Sequence, residues 1–497
     1  GLVHSTTDGG ASWSRAQALP GVPARSFIND VEASLFDAGT VFAVADAHKV
    51  GDFSPYVFVS NDHGGSWRSI AGDLPEGTIA WAIQQDHVNR DLLFLGTEFG
   101  VYFSLNGGEN WHKLAGAPTI AFRDIKLQRR DNDLVGATFG RGFYILDDYS
   151  ALRTMAQTGF GEKPELFPVR DAWWYIPSVP MQAAGMPTLG SDSYVSANPD
   201  FGAVFTYYLD EPFQTARDQR HEVESKLRDQ ASDVPFPGWD RLTAESLEAD
   251  PQVLILVSDE AGNPVRWLEA INERGTHRVS WDLRFPAVNP IDLSTPEFSP
   301  PWETDPQGPL AAPGPYSAQL IAVTGEQVLP LGEAQPFNVK PVHEVLPGSD
   351  YAEIARYQQE TSELLRDIMK TGAVLDQKLE LLGKMKAAAM AAPRAEPGLF
   401  QDLDRLGAEL TRIKTRLSGD PVRQGLNEST SPSIQGRAYN AASTWRTTQA
   451  ATSTQRSDFE QAKRDFASLS AGLDSLLNDE LGRLQQELVN AGAPGWL

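Results

Sequence analysis

Short apolar strands alternate with one repeated turn motif over residues 1–150. The motif has the pattern Ser/Thr-x-Asp/Asn-x-Gly-x-x-Trp, and it occupies residues 6–13, 60–67 and 104–111. Apolar runs such as residues 56–59 lead into it, and short apolar runs bounded by turn signals predict strands. Three copies of a strand and turn at comparable spacing indicate an internal repeat.

Each repeat unit contains four short strands. A pair of apolar strands precedes the motif, as at residues 31–44 and 81–97, and a similar pair follows at residues 124–138. The tryptophans that end successive motifs lie 54 and 44 residues apart. This is the length of one four-stranded blade of a β-propeller. We therefore predict the closing blades of a propeller over residues 1–150.

The motif residues predict a tight turn. The Asp or Asn is expected to accept hydrogen bonds from backbone N–H groups, and the glycine is expected to adopt a positive φ. The tryptophan is expected to pack back over the turn. We assign a structural role to all six residues: Asp8, Trp13, Asp62, Trp67, Asn106 and Trp111.

Beyond residue 150 the strand pattern changes. Residues 151–200 are rich in proline and are predicted to form a linker that wraps the chain. Residues 201–347 contain alternating strands separated by Gly, Asn and Pro turns, which predicts an immunoglobulin-like β-sandwich. Within it, the charged stretch 211–250 is predicted to be an exposed helical insertion. The Pro-rich loop around Trp302 is expected to be an ordered wrap.

Apolar residues recur at spacings of three and four over residues 348–497. One helical face contains Ile354 and Tyr357, a second contains Leu403 and Leu410, and a third runs from Phe459 onwards. The last helix is expected to be the longest, with residue 453 or 454 as its N-cap. The segment is predicted to form an antiparallel bundle of three or four helices.

Composition removes several classes of function. The 42 Lys and Arg against 66 Asp and Glu give a net charge of −24, so we expect no nucleic-acid partner. The chain has no cysteine, and its eight histidines include no closely spaced pair, so we expect no metal and no cofactor. No apolar run approaches the ~20 residues of a membrane span.

The repeats resemble the Asp-box, or BNR-repeat, propellers, and among these the sortilin-like bacterial proteins often labelled glycosyl hydrolases. Residues 95–102 and 138–148 are similar to the last blades of that group. Residues 201–347 resemble the Ig-like modules of flagellar hook-capping proteins. The resemblance implies a secreted or periplasmic protein. The chain lacks the cysteine-rich module of sortilin itself, which argues against peptide binding of the sortilin type.

Three to four blades cannot close a ring without leaving open edges. We therefore expect further blades, either upstream in the same chain or supplied by another chain. The overall expectation is a multidomain protein, mainly β with an α tail: a partial Asp-box β-propeller, an Ig-like β-sandwich and a C-terminal helical bundle.

A ligand site is expected on the face opposite the Asp-box turns. The turns that join the middle two strands of each blade emerge there. The first blade contributes acidic and basic side chains to this face, the second contributes a carboxylate and the last contributes a cation. These candidates are Asp46, His48, Lys49, Asp52, Glu98 and Arg141.

Two hypotheses of function follow. The favoured one is a non-catalytic recognition or scaffolding protein that binds a protein or glycan on this face, with His48, Lys49 and Arg141 as contacts. The alternative is a sialidase- or xyloglucanase-like glycoside hydrolase that uses Asp46, Asp52 or Glu98 in the channel mouth. It would need two carboxyl groups about 5–5.5 or 6.5–9.5 Å apart. Purely structural assembly through the open half-ring is a third possibility.

Overall fold

The protein is mainly β-structure with an α-helical C-terminal part. A computed structural model describes residues 1–159, 163–177, 196, 198–293, 305–325, 327–342 and 350–496, so Trp302 lies outside the described residues. The fold comprises blades of a partial β-propeller, a β-sandwich and a helical bundle. The domain boundaries at residues 150, 200 and 347 stay predictions.

The chain forms two compact units. The first comprises Gly1–Pro168, Thr206–Pro212 and Glu273–His277. The second comprises Val169–Phe205, Phe213–Asn272 and Arg278–Leu497.

The first unit contains a short hairpin followed by three antiparallel sheets. The hairpin consists of β1 (His4–Ser5) and β2 (Ser14–Arg15). The first sheet consists of β3 (Phe27–Ala33), β4 (Val41–Ala47), β5 (Asp52–Ser60) and β6 (Arg68–Ser69). The second consists of β7 (Ala80–Gln85), β8 (Leu93–Thr97), β9 (Gly100–Ser104) and β10 (His112–Lys113). The third consists of β11 (Phe122–Gln128), β12 (Asp133–Thr138) and β13 (Phe143–Leu146).

Consecutive sheets pack face to face like the blades of a propeller. One apolar cluster joins the first two sheets and includes Val57, Val59 and Ile83. A second cluster joins the second and third sheets and includes Phe103 and Ile125. The second sheet is therefore buried on both faces, so its strands β7 and β8 are buried along their whole length.

The repeated turns connect the outer strands of the blades. In the second turn, Asp62 accepts hydrogen bonds from the Ser66 backbone N–H (2.8 Å) and from the Ser66 hydroxyl (2.7 Å). The Ser60 hydroxyl also donates to Asp62 and accepts from the backbone N–H of Gly64 (2.9 Å). These hydrogen bonds lower the pKa of Asp62 to about 2, and the bond from the Ser66 hydroxyl has the largest effect. The carboxylate thus stays ionised and fixes the turn.

A buried ion pair fixes helix α1 (Ala151–Thr158) to the second blade. Asp86, at the end of β7, is completely buried and accepts two hydrogen bonds from Arg153, at 2.8 and 2.7 Å. The Tyr149 hydroxyl donates a third, at 2.8 Å. The backbone N–H groups of Val88 and Asn89 donate to the same carboxylate. All these groups lie in the first unit.

The remaining strands form two sheets. One has the order β14 (Glu165–Leu166), β16 (Ala203–Leu209) and β19 (Gly275–Trp281). The other has the order β15 (Ala172–Trp174), β22 (Gln335–Pro341), β20 (Gly314–Thr324), β17 (Gln252–Asp259) and β18 (Pro264–Ala270), with β21 (Gln327–Pro330) paired to β20. Within the second unit, the buried Trp281 ring packs edge-on against Tyr316, with centroids 5.4 Å apart.

Two helices lie between β16 and β17. They are α2 (Ala216–Asp229) and α3 (Trp239–Leu247). Arg220 joins them through hydrogen bonds to Glu245 at 3.0, 3.0 and 2.8 Å. Glu245 is the buried residue of these two helices, and none of their apolar residues is buried.

Six α-helices lie in residues 350–496, the C-terminal stretch that the structure describes. They are α4 (Tyr351–Ala391), α5 (Pro397–Ser418), α6 (Pro421–Gly425), α7 (Ile434–Ala442), α8 (Ser453–Ser470) and α9 (Leu481–Ala491). The expectation that the last helix is the longest is wrong: α4 has 41 residues, and a π-helical segment at Ser475–Glu480 separates α8 from α9. The N-cap of α8 is Thr452, which forms a capping box with Gln455.

Candidate functional site

Three turns emerge at the end of the blades opposite the repeated turns, and we call this end the mouth. They join β4 to β5, β8 to β9 and β12 to β13, over residues 48–51, 98–99 and 139–142. The strands alternate in direction, so these turns share one end of their blades while residues 60–67 and 104–111 share the other. The first residues of β7 and β11 start at the mouth as well.

One indole ring organises the mouth. Trp81, on β7, is only 6% exposed, and its Nε1 donates to Glu98 Oε2 at 2.9 Å. The Arg123 guanidinium carbon lies 3.5 Å from the centre of the same ring. The His48 ring meets it edge-on, with centroids 5.7 Å apart. Side chains from all three blades therefore converge on Trp81.

Aromatic rings contact the Arg123 guanidinium group. Besides Trp81, the Phe139 ring centre lies 5.3 Å from its guanidinium carbon. Glu98 Oε2 lies 3.8 Å from its Nη2, and the side chain is 41% exposed. In the part of the chain that the structure describes, no hydrogen bond from this guanidinium is found. Stacking occupies the faces of the planar group and leaves its in-plane N–H donors for a ligand.

Asp46 orients His48. The Asp46 side chain is 2% exposed, and its Oδ1 accepts from the His48 backbone N–H at 3.2 Å and contacts the His48 Nδ1. Its Oδ2 is buried without a hydrogen-bond partner among the described residues. Nδ1 is thereby used inside the protein, and Nε2 is the ring nitrogen left for a ligand.

The other predicted residues lie on the mouth turns without joining this cluster. The Asp52 carboxylate accepts from the Tyr56 hydroxyl at 2.6 Å and from the Ser54 backbone N–H at 3.0 Å. The Tyr56 hydrogen bond is the main cause of its lowered pKa. The Lys49 Nζ lies 4.7 Å from the centre of the Phe27 ring. Arg141 is exposed.

Exposed phenylalanines surround the cluster. They lie on or beside the mouth turns and are 45–71% exposed: Phe27, Phe53, Phe99 and Phe139. Aromatic side chains beside arginine are typical of the residues that dominate binding energy at interfaces.

Sequence reasoning missed Trp81 and Arg123. It considered the turns between the middle strands, whereas these residues lie at the starts of β7 and β11. The first strand of each blade begins at the mouth. The sequence therefore offered a signal for these two residues, because a Trp and an Arg lie at the start of consecutive first strands.

Among the described residues, the carboxyl group whose pKa is clearly raised lies away from the mouth. Burial raises the pKa of Glu32, on β3, and the Gln84 side chain, which contacts it, acts in the opposite direction. Glu32 lies near the end of β3 that is opposite the mouth. In the described part of the chain, no group of three or more His, Asp or Glu residues could hold a metal ion.

Comparison with known proteins finds structural likeness alone. No protein-family model matches the chain, and no curated protein matches it. An ancestral GH74 enzyme matches with 17% identity and a TM-score of 0.23, over 41% of this chain and 28% of that one. PorZ, a surface component of the type-IX secretion system of Porphyromonas gingivalis, matches with 12% identity and a TM-score of 0.24, over 66% and 41%.

A GH74 xyloglucanase from Xanthomonas campestris matches with 13% identity and a TM-score of 0.20, over 61% of this chain and 38% of that one. The chain thus spans less than half the length of each of these three structures. Among the described residues, no helix is both long and apolar enough to cross a membrane.

Proposed function

We propose that the mouth is a non-catalytic recognition surface for an extracellular protein or glycan that carries an anionic group. The observation that carries this proposal is the Arg123 guanidinium, which is stacked on Trp81, lies 3.8 Å from the Glu98 carboxylate and forms no hydrogen bond in the described structure. A cation fixed in this way loses little side-chain entropy when it binds a carboxylate. His48 Nε2 and the exposed phenylalanines extend the surface.

The hydrolase alternative has less support. A glycosidase needs one carboxyl group with a raised pKa as its general acid. The pKa of Asp52 is lowered, and Glu98 is committed to Trp81 and Arg123. Glu32, whose pKa is raised, lies towards the other end of β3. These contacts favour retention of a ligand over its turnover.

The turn geometry supports the wider assignment to sortilin-like BNR-repeat proteins. The same hydrogen bonds occur around Asp8 and Asp62. A recognition role in such a protein implies a secreted or periplasmic location. Both statements are part of this proposal.

The test is a combined glycan and peptide array with neutral and carboxylated members. We expect Arg123→Gln to weaken retention of carboxylated ligands by roughly 30-fold or more, the loss of a binding hot spot of ~2 kcal/mol. Arg130→Gln is the matched control, since Arg130 is 83% exposed and lies between β11 and β12, away from the mouth. Retention equal in both variants contradicts the proposal. Sugar release that is lost in Glu98→Gln or Asp46→Asn would make the protein a hydrolase.

We also propose that further blades cover both ends of the partial propeller. Trp67 and Trp111 are 9% and 6% exposed, but Trp13 is 63% exposed. On the third blade, Phe143 is 75% exposed, whereas Val101 at the corresponding position is 2% exposed. Equivalent side chains are therefore buried between two blades but exposed on the first and last parts of the partial propeller.

Phe143→Ser tests the covering. We expect it to cost less than about 0.5 kcal/mol in the 497-residue chain, as exposed substitutions do. With the further blades present, whether in the same chain or from another chain, it should cost about 2 kcal/mol or more, as Val101→Ser does with and without them. Equal effects of Phe143→Ser with and without these blades, measured by urea unfolding, would exclude a covering blade at this end.

A further inference from the structure

The third Asp-box turn differs from the other two at the two positions whose side chains pair across the turn. Asp8 pairs with Ser12 and Asp62 pairs with Ser66, and in each pair the serine hydroxyl donates to the carboxylate. In the third turn the pair is Asn106 and Asn110. Here the direction is reversed, because Asn106 Nδ2 donates to Asn110 Oδ1 at 3.0 Å.

The reversal is explained by a neighbouring carboxylate. Asn110 Nδ2 donates in turn to Asp73 Oδ2 at 3.2 Å, and the Trp111 backbone N–H donates to Asp73 Oδ1 at 2.7 Å. Asp73 lies in the connection between the first and second blades. A chain of donors therefore runs from Asn106 through Asn110 to Asp73, and an amide at position 106 keeps a second negative charge away from it.

This amide stands directly before glycine. Asn106–Gly107 is the single Asn-Gly pair of the sequence, and the Asn106 side chain is exposed to water. Glycine offers the least steric resistance to attack by its own backbone nitrogen on the preceding side chain, because it has no Cβ. We propose that Asn106 is a site of spontaneous deamidation, whose product loosens the junction between the first two blades.

The reaction needs no cofactor. The Gly107 backbone nitrogen loses its proton to solvent base and attacks Cγ of Asn106, and the bond from Cγ to the side-chain nitrogen breaks. That nitrogen leaves as ammonia and a succinimide ring remains. Water then opens the ring at either carbonyl, which leaves aspartate or isoaspartate at position 106.

The native turn opposes the attack. The Gly107 backbone N–H donates to the Asp91 carbonyl at 2.9 Å. The Asn106 Oδ1 accepts from the Ser104 hydroxyl and from the Asn110 backbone N–H, both at 3.0 Å. The turn must therefore open before nitrogen and carbon can meet, so the reaction rate reports local opening.

Deamidation breaks the chain of donors. A carboxylate at position 106 cannot donate to Asn110 Oδ1. If the Asn110 amide turns to donate to it, its oxygen then faces Asp73, and the bond to Asp73 is lost. Asp73 also positions Trp111, whose Nε1 donates to the Ile70 carbonyl at 2.9 Å. The damage therefore reaches the packing between the blades.

The experiment follows Asn106 by peptide mass spectrometry while the full chain is aged at mildly alkaline pH, with and without urea. We expect aspartate and isoaspartate to accumulate at position 106 in the native protein, at least about tenfold more slowly than in urea. Complete absence of conversion in the native protein, while the urea sample converts, would overturn the proposed site.

The consequence is tested with Asn106→Asp. We expect hydrogen exchange in residues 70–79 and 100–113 to become roughly five- to tenfold faster, as the loss of one hydrogen bond implies. The double variant Asn106→Asp with Asn110→Ser restores the pair of the other two turns and should recover much of the protection. Asn427→Asp is the charge-matched control, since Asn427 is exposed far along the sequence. Unchanged exchange in Asn106→Asp would refute the loosening.

Discussion

Replacing Asp86 with alanine should lower the free energy of opening of the second blade by about 3–5 kcal/mol, the usual cost of removing one partner from a buried ion pair. The Arg153 guanidinium, 14% exposed, would lose both of its hydrogen bonds to this carboxylate. The Tyr149 hydroxyl and two backbone N–H groups would lose their acceptor as well. Native-state hydrogen exchange of residues 80–97 and 149–156 measures the change within the first unit.

The effect should depend on pH. Burial raises the pKa of Asp86, but Arg153, the Asn89 backbone N–H and the Tyr149 hydroxyl together outweigh it and hold the pKa below the ordinary 3.8. The folded protein therefore keeps this carboxylate charged at pH values where the unfolded chain protonates it. Its contribution is full above about pH 3.8 and disappears as the pH falls through the folded-state pKa. The difference between wild type and Asp86→Ala should shrink accordingly in acid.

Asp124→Ala is the matched control. Asp124 forms an ion pair with Lys126 at 3.7 Å, and both side chains are nearly 60% exposed. Such a pair contributes little, so the change should stay within about 0.5 kcal/mol at every pH. If Asp86→Ala were as mild as this control, α1 would not be fixed by the buried pair.

The blades were predictable because the sequence repeats their local chemistry. The turn residues and the strand lengths each recur, so periodicity predicted four strands per unit, and the first two sheets have four strands. The third blade has three strands in the described structure. The turn after β13 lacks the glycine and tryptophan of the motif, and this missing signal was already visible in the sequence.

The mouth was predicted only in part. Asp46, His48 and Glu98 could be placed at one end from strand direction, and the structure brings all three around Trp81. The stacking of Arg123 on Trp81 joins residues 42 positions apart on different blades. Strand direction places both residues at the mouth, but no local pattern encodes their contact, because it depends on the packing of one sheet against the next.

The bundle shows where periodicity fails. An apolar stripe continues from Phe459 to Leu488, which predicted one long last helix. The stripe persists through a π-helical segment, where Leu476 and Leu477 are partly buried against the core. By contrast, α4 has several polar residues on its buried face, such as Gln358 and Thr361. A helix length judged from apolar residues alone is therefore too short.

Replacing Trp81 with alanine should have the second large effect, on both stability and recognition. The indole is buried, and its removal should cost about 3–5 kcal/mol by hydrogen exchange of the second blade. Arg123 would lose the ring on which it stacks, and Glu98 would lose its Nε1 donor. Retention of carboxylated array ligands should therefore fall as far as it does in Arg123→Gln.

Trp81→Phe separates these two effects. A phenyl ring still offers a face to Arg123 but cannot donate to Glu98, so the variant should lose about 1 kcal/mol through that bond and some further packing. Because the stacked guanidinium is the feature that carries recognition, Trp81→Phe should retain the ligands to within about tenfold of wild type, the equivalent of ~1.4 kcal/mol. If Trp81→Phe lost binding as completely as Arg123→Gln while its blade stayed protected, Glu98 would be the organising contact, and the ligand would be recognised through the carboxylate and not through the stacked arginine.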